Sequence, residues 1–142
     1  KKEHMTNLIS IIVSVSILIL TIIFKNQFDS GVFLQIIGLF IGITGLIFWI
    51  TGRATLGKYF TISHKPKELI TNGIYAKIRH PMYSGGILLY LGLGLFFKSI
   101  IGIVLTIILL APLLIYSAII EERLLIKKYG KSYIEYKKKT IF

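Results

Sequence analysis

The chain has 142 residues, of which 54% are hydrophobic and 16% are charged, and its formal net charge at pH 7 is +11. A soluble domain of this size cannot cover so much apolar surface with solvated groups, so the composition excludes an ordinary globular enzyme and indicates an integral membrane protein. The absence of cysteine excludes disulfides, a thiolate nucleophile and a cysteine-ligated metal site.

Four apolar runs without acidic or basic residues predict four membrane-spanning helices in one all-α domain over residues 1–142. A helix needs roughly 20 apolar residues to cross a bilayer, with about 17 as the lower limit. The second and fourth runs meet this length, the first is borderline, and the third is short. The four runs are 8–24, 31–50, 82–97 and 100–120.

The basic residues predict which parts of the chain face the cytoplasm. They concentrate at the N-terminus, in a loop over 51–81 and in a tail over 121–142, whereas Lys25 and Lys98 are alone in the two other loops. By the positive-inside rule, both termini and the long loop lie in the cytoplasm and the protein is multi-pass. The charge is then explained by topology and by attraction to anionic lipid, and we expect no nucleic-acid partner.

Two features of the spans predict how they pack. Span two carries Gly38, Gly42 and Gly45, small residues that allow helices to approach closely in lipid. We expect this face to pack against another span, or against another copy of the chain in a homo-oligomer. Pro112 should kink span four.

The two cytoplasmic segments have different patterns. The segment 51–81 contains an Asn-Gly turn signal at 72–73, which predicts loop and short helix rather than sheet. Helical spacing continues from the last span to Gly130, a natural C-terminal cap. The next piece, KSYIEYKKK, places Tyr133 and Tyr136 beside lysines, which is typical of a helix lying at the membrane interface.

Charged residues at the cytoplasmic ends of spans three and four are predicted to meet. A short turn joins these spans in a hairpin, which places Arg79 and His80 near Glu121 and Glu122. Pro81 suits the first turn of a helix, whose N–H groups, together with His80, would bind a carboxylate or phosphate. One glutamate would face the hairpin interior while the other pairs with an arginine. An anion site at one end and a carboxylate at the other suit a zwitterionic ligand.

Each of these features also has a structural interpretation. A juxtamembrane arginine and histidine can anchor topology, two glutamates at a helix exit can form a solvated boundary, and the tyrosines can form an interfacial belt. Their convergence at one depth favours a functional site, because ionisable residues at the membrane often mark one.

Two segments carry a family resemblance: LITNGIYAKIRHPMYSG and EERLLIKKYGKSYIEYKKKT. Together they resemble the isoprenylcysteine carboxyl methyltransferase family, which belongs with the membrane phospholipid methyltransferases. The resemblance covers about residues 50–142. The matching positions are Gly73, Tyr75, Arg79, His80, Pro81, Tyr83, Gly85, Glu121, Glu122, Leu124, Tyr129, Gly130, Tyr133 and Tyr136.

The resemblance implies S-adenosylmethionine as the cofactor, S-adenosylhomocysteine as the product, and a pocket at the cytosolic face. It implies that the segment around Leu69 to Tyr75 closes over the cofactor, while the Arg-His-Pro segment and the glutamates line the pocket. The cofactor-binding residues expected on this basis are Leu69, Gly73, Tyr75, His80, Pro81, Tyr83, Glu121 and Glu122. The catalytic residues expected are Arg79, His80 and Glu121, and no metal is expected.

The residue chemistry agrees with this cofactor. The cofactor's carboxylate suits His80 and the start of the helix, its ammonium and ribose hydroxyls suit Glu121, and Glu122 would hold the architecture against Arg79. An arginine, for which Arg79, Arg53 and Arg123 are available, would orient a carboxylate acceptor.

The expected acceptor is lipid-like or prenylated, first of all the carboxylate of an isoprenylcysteine, which is already ionised at pH 7 and requires little acid–base chemistry. N-methylation of a phospholipid amine head group is the alternative, and it requires His80 or a glutamate as the base. Gly86 and Ile87 stand where family members often have an aromatic residue, and larger members have additional spans, which leaves the acceptor open. An NADPH-dependent membrane reductase and a small non-enzymatic membrane subunit are the remaining alternatives.

Overall fold

The computed structural model describes residues 2–57 and 69–142, with side chains from residue 8 onward. Within these ranges every extended regular element is helical, which confirms the all-α prediction for the described part of the chain. Residues 58–68, in the middle of the predicted 51–81 loop, lie outside the described residues. The elements are α1 (Lys2–Ile23), α2 (Val32–Leu56), a 3₁₀ turn (Gly73–Ala76), α3 (Pro81–Phe96), α4 (Ile100–Tyr129) and α5 (Lys131–Lys139).

The surface of the helices is that of a membrane protein. Helices α2 and α4 are long and apolar enough to cross a bilayer, whereas the apolar parts of α1 and α3, Leu8–Ile23 and Pro81–Phe96, are shorter. Large apolar side chains point outward, and those of Phe33 and Phe40 are 76% and 68% exposed. Contiguous apolar surface of this kind is unfavourable in water and suits a hydrocarbon environment.

Helix α2 is longer than predicted, because it continues beyond residue 50 to Leu56. The hydroxyls of Thr51 and Thr55 donate to the backbone carbonyls four residues earlier, at 2.6 and 2.8 Å, so these polar residues prolong the helix. The helix ends at Gly57, whose φ of 46° is a conformation that glycine adopts without steric cost. The first six residues of the predicted 51–81 loop are therefore helical.

Helices α2 and α3 pack backbone to backbone along a row of glycines. A Cβ added to Gly45 would lie 2.6 Å from the carbonyl oxygen of Gly85, and one added to Gly38 would lie 2.9 Å from that of Gly92. Larger residues at these positions would push the helices apart, which is why small residues mark such interfaces in lipid. The predicted close packing of this face against another apolar helix is confirmed, and association of copies stays a prediction.

Helix α4 passes Pro112 through one π turn, Thr106–Leu110. Proline lacks an N–H, and its ring collides with the carbonyl four residues earlier in a regular helix. The wider turn accommodates the ring, so the predicted distortion takes the form of a local bulge and the helix continues to Tyr129. Glu121 and Glu122, which directly follow the apolar run, therefore belong to the same continuous helix as that run.

The turn of the α3–α4 hairpin is tied to the neighbouring loop. The backbone N–H groups of Asn26 and Gln27 donate to the carbonyls of Phe97 and Lys98, both at 2.9 Å, and Ser99 caps the start of α4. These bonds hold the hairpin at one end of the bundle. The charged residues meet at the opposite end, which we call the charged end.

We predict that Gly45→Ala destabilises the bundle by about 1–3 kcal/mol, because the added methyl group would overlap the backbone of α3. Gly42→Ala is the matched control, since its Cβ would lie 3.7 Å from the Cα of Gly92, an ordinary contact. Both substitutions gain about the same helix propensity, roughly 1 kcal/mol, so their difference isolates packing. Thermal unfolding in detergent measures it, and equal midpoints would contradict the predicted backbone contact.

Candidate functional site

The carboxylate of Glu122, on α4, contacts Arg79 and His80 just before α3 and Lys137 on α5. Its Oε1 accepts a hydrogen bond from Nε of Arg79 at 2.8 Å and lies 3.4 Å from Nε2 of His80. Its Oε2 lies 2.5 Å from Nζ of Lys137. The side chains of Arg79 and Glu122 are only 12% and 15% exposed, so this charge-assisted contact is screened less than a surface pair.

The hairpin therefore brings together the residues that the sequence analysis placed at one depth. Arg79 and His80 precede α3, while Glu121 and Glu122 lie on α4. Consecutive helix positions point about 100° apart, and the two glutamates accordingly have different neighbours: Glu122 contacts Arg79, whereas Glu121 faces His80 and Tyr83.

His80 is a buried and neutral residue at the start of α3. It is 4% exposed, and burial lowers its pKa to about 4, although the nearby Glu122 carboxylate acts in the opposite direction. At pH 7 only one ring nitrogen carries hydrogen, and the tautomer protonated at Nε2 donates toward Glu122. Nδ1 is then an acceptor that lies 3.9 Å from Oε2 of Glu121, beyond hydrogen-bond distance.

The predicted anion site at the start of α3 has fewer donors than the sequence indicates. The N–H groups of Tyr83 and Ser84 both donate to the carbonyl of His80, at 3.1 and 3.0 Å. The N–H of Arg79 donates to the carbonyl of Ile141. Because these donors have partners within the protein and the imidazole is neutral, this end of the site is less positive than predicted.

Tyr83 connects Glu121 to an apolar cavity among the helices. Its hydroxyl lies near the Glu121 carboxylate, whose side chain remains 31% exposed. Its ring lines a cavity of about 420 Å³ that Leu46, Leu89 and Leu114 also line. Tyr83 therefore lies between the polar cluster at the charged end and the apolar cavity.

The other residues predicted to bind the cofactor lie around this cluster at different distances. Tyr75 is buried, and its carbonyl accepts a hydrogen bond from the hydroxyl of Tyr136 at 2.6 Å. Gly73 has a φ of 56° and packs against Thr55. Pro81 is the buried first residue of α3. Leu69 is half-buried, and among the described residues no hydrogen bond or ion pair joins it to the cluster.

The inward orientation of α5 differs from the predicted interfacial helix. Tyr133 is fully buried, and Tyr136 donates to the backbone of the 3₁₀ turn. Burial raises the pKa of Tyr136 to about 12, so its hydroxyl keeps the proton that it donates. The tyrosines face protein because the segment after α5 pairs with the chain before α3, through the bridge between Ile78 and Ile141.

Lys137, Thr140 and Phe142 contribute to the charged end, and the sequence analysis did not select them. Lys137 pairs with Glu122, a carbonyl of Thr140 accepts from Arg79, and the ring of Phe142 lies 5.5 Å from that of His80. One signal in the sequence could have found this face. Positions 133, 136 and 140 follow the spacing of one helical side and hold two tyrosines and a threonine among lysines.

Two similarities to known proteins concern this part of the chain. A family model described as phospholipid methyltransferase matches residues 26–132, more than half of the chain. The chain belongs to the phospholipid methyltransferase family. Protein-S-isoprenylcysteine O-methyltransferase of Schizosaccharomyces pombe is 33% identical over 77 residues, which are 54% of this chain and 33% of that protein. The chain thus aligns with about a third of this relative, and the predicted relationship to membrane methyltransferases is confirmed.

We predict that His80 makes stability fall on acidification. Its pKa is about 4 in the folded protein, against about 6.5 when unfolded. The unfolded state therefore binds more protons between these values, and lowering the pH from 7 to 5 should cost about 2 kcal/mol through this residue. In thermal unfolding across this range, His80→Gln should lose less stability than wild type. Parallel pH profiles would show that His80 is not buried in its neutral form.

Proposed function

We propose that this protein transfers a methyl group from S-adenosylmethionine to a lipid-like acceptor at the cytoplasmic face of a membrane. The observation that carries the proposal is the position of Tyr83, which lies near Glu121 and lines the apolar cavity. A polar cofactor and an apolar substrate could therefore meet on either side of one residue. Family membership supports methyl transfer as the reaction.

The hydrogen-bonding groups at the charged end fit this cofactor. Nδ1 of His80 and Oε2 of Glu121 lie 3.9 Å apart. Burial raises the pKa of Glu121 to about 7, and in its ionised form the two atoms are facing acceptors, which a donor placed beside both stabilises. An ammonium group, as in the amino-acid part of S-adenosylmethionine, is such a donor. We therefore assign Glu121 and His80 to the cofactor's ammonium, and Glu122 to holding Arg79.

The cofactor, when bound, supplies a methyl group activated by a sulfonium. The residues of the chain then have to position the acceptor and exclude water, because methyl transfer needs little else. Tyr75 and Tyr83 are well suited to excluding water, since Tyr75 is buried, Tyr83 is partly buried, and both lie near Glu121. The hydrogen bond from Tyr136 to the carbonyl of Tyr75 would hold the 3₁₀ turn near the site.

We propose the carboxylate of an isoprenylcysteine, or a close analogue, as the acceptor. The apolar cavity of about 420 Å³ suits an apolar tail, with the reacting group at the Tyr83 end. The similarity to an isoprenylcysteine O-methyltransferase supports this class. A carboxylate is ionised at pH 7, so it requires no base.

N-methylation of a phospholipid amine is the second candidate, and one observation favours it. The described contacts of the Arg79 guanidinium are with Glu122, Lys137 and Thr140, so the arginine is turned toward the protein rather than toward an acceptor. An ammonium acceptor must lose a proton before it is methylated, and in this alternative Glu121 would accept that proton instead of binding the cofactor's ammonium.

We also propose four spans with both termini in the cytoplasm. The turn of the α3–α4 hairpin would then lie at the outer face, and the charged end at the inner face. The exposed lysines of α4 and α5 at the charged end support this orientation, since basic residues concentrate on the cytoplasmic side.

For the cofactor, we predict that the full chain in detergent gives binding heat with S-adenosylmethionine and S-adenosylhomocysteine in calorimetry, and none with NADPH. Glu121→Gln should weaken binding by about 1–3 kcal/mol, the scale of a lost charged hydrogen bond. Glu135→Gln, the same change on the exposed side of α5, is the control. Heat with NADPH alone would refute the proposed function, and equal affinity of Glu121→Gln and wild type would refute the role of Glu121.

For the acceptor, we predict that Leu46→Trp raises the KM for the lipid substrate roughly tenfold and leaves cofactor affinity unchanged, because the indole would fill part of the cavity. Leu39→Trp is the control, because Leu39 lies two turns away on the same face of α2, is exposed to a similar extent and is not among the residues that line the cavity. The product of labelled cofactor and membrane extract identifies the acceptor, since mild base releases methanol from a methyl ester and not from a methylated amine. An unchanged KM in Leu46→Trp would exclude this cavity as the substrate site.

A further inference from the structure

Three residues near the end of the chain, Lys137, Thr140 and Ile141, grip the segment just before α3; we call them the clasp. We propose that the clasp positions His80 and Glu122 for the cofactor, so that docking of residues 131–142 and cofactor binding stabilise each other. This inference rests on the proposed function. Lys137 and Thr140 lie beyond the residues that the family model matches, 26–132.

The backbone part of the clasp fixes the position of the chain next to His80. The N–H of Ile141 donates to the carbonyl of Lys77, and the N–H of Arg79 donates to the carbonyl of Ile141, both at 2.9 Å. These two bonds form a parallel bridge around Ile78. The residue before the imidazole is therefore hydrogen-bonded to the last residues of the chain rather than to its own helix.

The side chain of Arg79 forms the second part. Its Nη1 donates to the carbonyls of Thr140 and Lys137, at 2.7 and 3.2 Å. Carbonyls at the end of a helix lack partners within the helix and carry partial negative charge, so a guanidinium placed there stabilises the end of α5. Arg79 is on this account a positioning residue that connects α5 to Glu122.

Lys137 completes the connection through Glu122. Its Nζ neutralises Oε2 of the carboxylate, while Oε1 faces Arg79 and His80. With both cations present, Glu122 is held in one orientation, and that orientation directs Nε2 of the imidazole toward it. The opposite ring nitrogen, Nδ1, is then aimed at Glu121, where we place the ammonium of the cofactor.

Thermodynamic linkage follows from this arrangement. If the docked segment holds the ring nitrogens in the orientation that binds the cofactor, the cofactor must favour the docked segment by the same factor. The contact between the rings of Phe142 and His80, with centroids 5.5 Å apart, would be part of the same docked state.

The test compares Lys137→Met with Lys138→Met in the full chain. Both variants remove one exposed charge from the same turn of α5, and only Lys137 reaches Glu122 among the described contacts. We expect Lys137→Met to raise the Kd for S-adenosylmethionine about fivefold, with Lys138→Met within about twofold of wild type and Lys137→Arg restoring most of the affinity. Hydrogen exchange of the Ile141 amide without cofactor should be faster in Lys137→Met than in Lys138→Met.

The two readouts separate the clasp from the proposed function. Equal Kd values for the two methionine variants would overturn the clasp. This holds also if both variants bind more weakly than wild type, because an equal loss indicates a general charge effect. Wild-type protein without affinity for S-adenosylmethionine would refute the proposed function. In that case the coupling between the clasp and this cofactor would also be overturned. Docking of the clasp is judged from hydrogen exchange alone. Faster exchange of the Ile141 amide in Lys137→Met than in Lys138→Met supports the docking contact, and equal exchange refutes it.

Discussion

The carboxylate of Glu122 is the constraint on which the charged end depends. It is a largely shielded negative group, and such a group is stable only when cations and donors surround it. Arg79 and His80, just before α3, and Lys137, on α5, supply them. Three distant parts of the chain are therefore held together through one side chain.

The helices make this contact possible by close packing rather than by burying apolar surface from water. Between α2 and α3 the backbones touch along glycines, and this contact replaces the hydrophobic driving force that lipid does not provide. The π turn before Pro112 lets α4 continue as one rod, so Glu121 and Glu122 keep a defined height and rotation relative to α3. A binding or catalytic site needs its side chains held in a precise geometry, and rigid helices provide this.

The two adjacent glutamates have separate environments and, in our proposal, separate tasks. Glu122 is neutralised by two cations, whereas Glu121 has a tyrosine hydroxyl and a neutral imidazole as neighbours. A carboxylate without a cation beside it is the one that can attract the positive end of a ligand. Because Tyr83 links this carboxylate to the apolar cavity, the same residue would separate cofactor from lipid and align them.

The sequence by itself determined the membrane character, the all-helical class, the glycine face and the meeting of Arg79 and His80 with the glutamates. The first three follow from local composition. The fourth follows from the short turn between α3 and α4, because such a turn leaves two helices little choice but to lie side by side. Only the tertiary structure decided that His80 is buried and neutral, that α5 turns its tyrosines inward, and that Lys137 joins the site. These outcomes depend on which groups are desolvated together and on contacts between residues far apart in the chain, and neither is encoded in the spacing of any single segment.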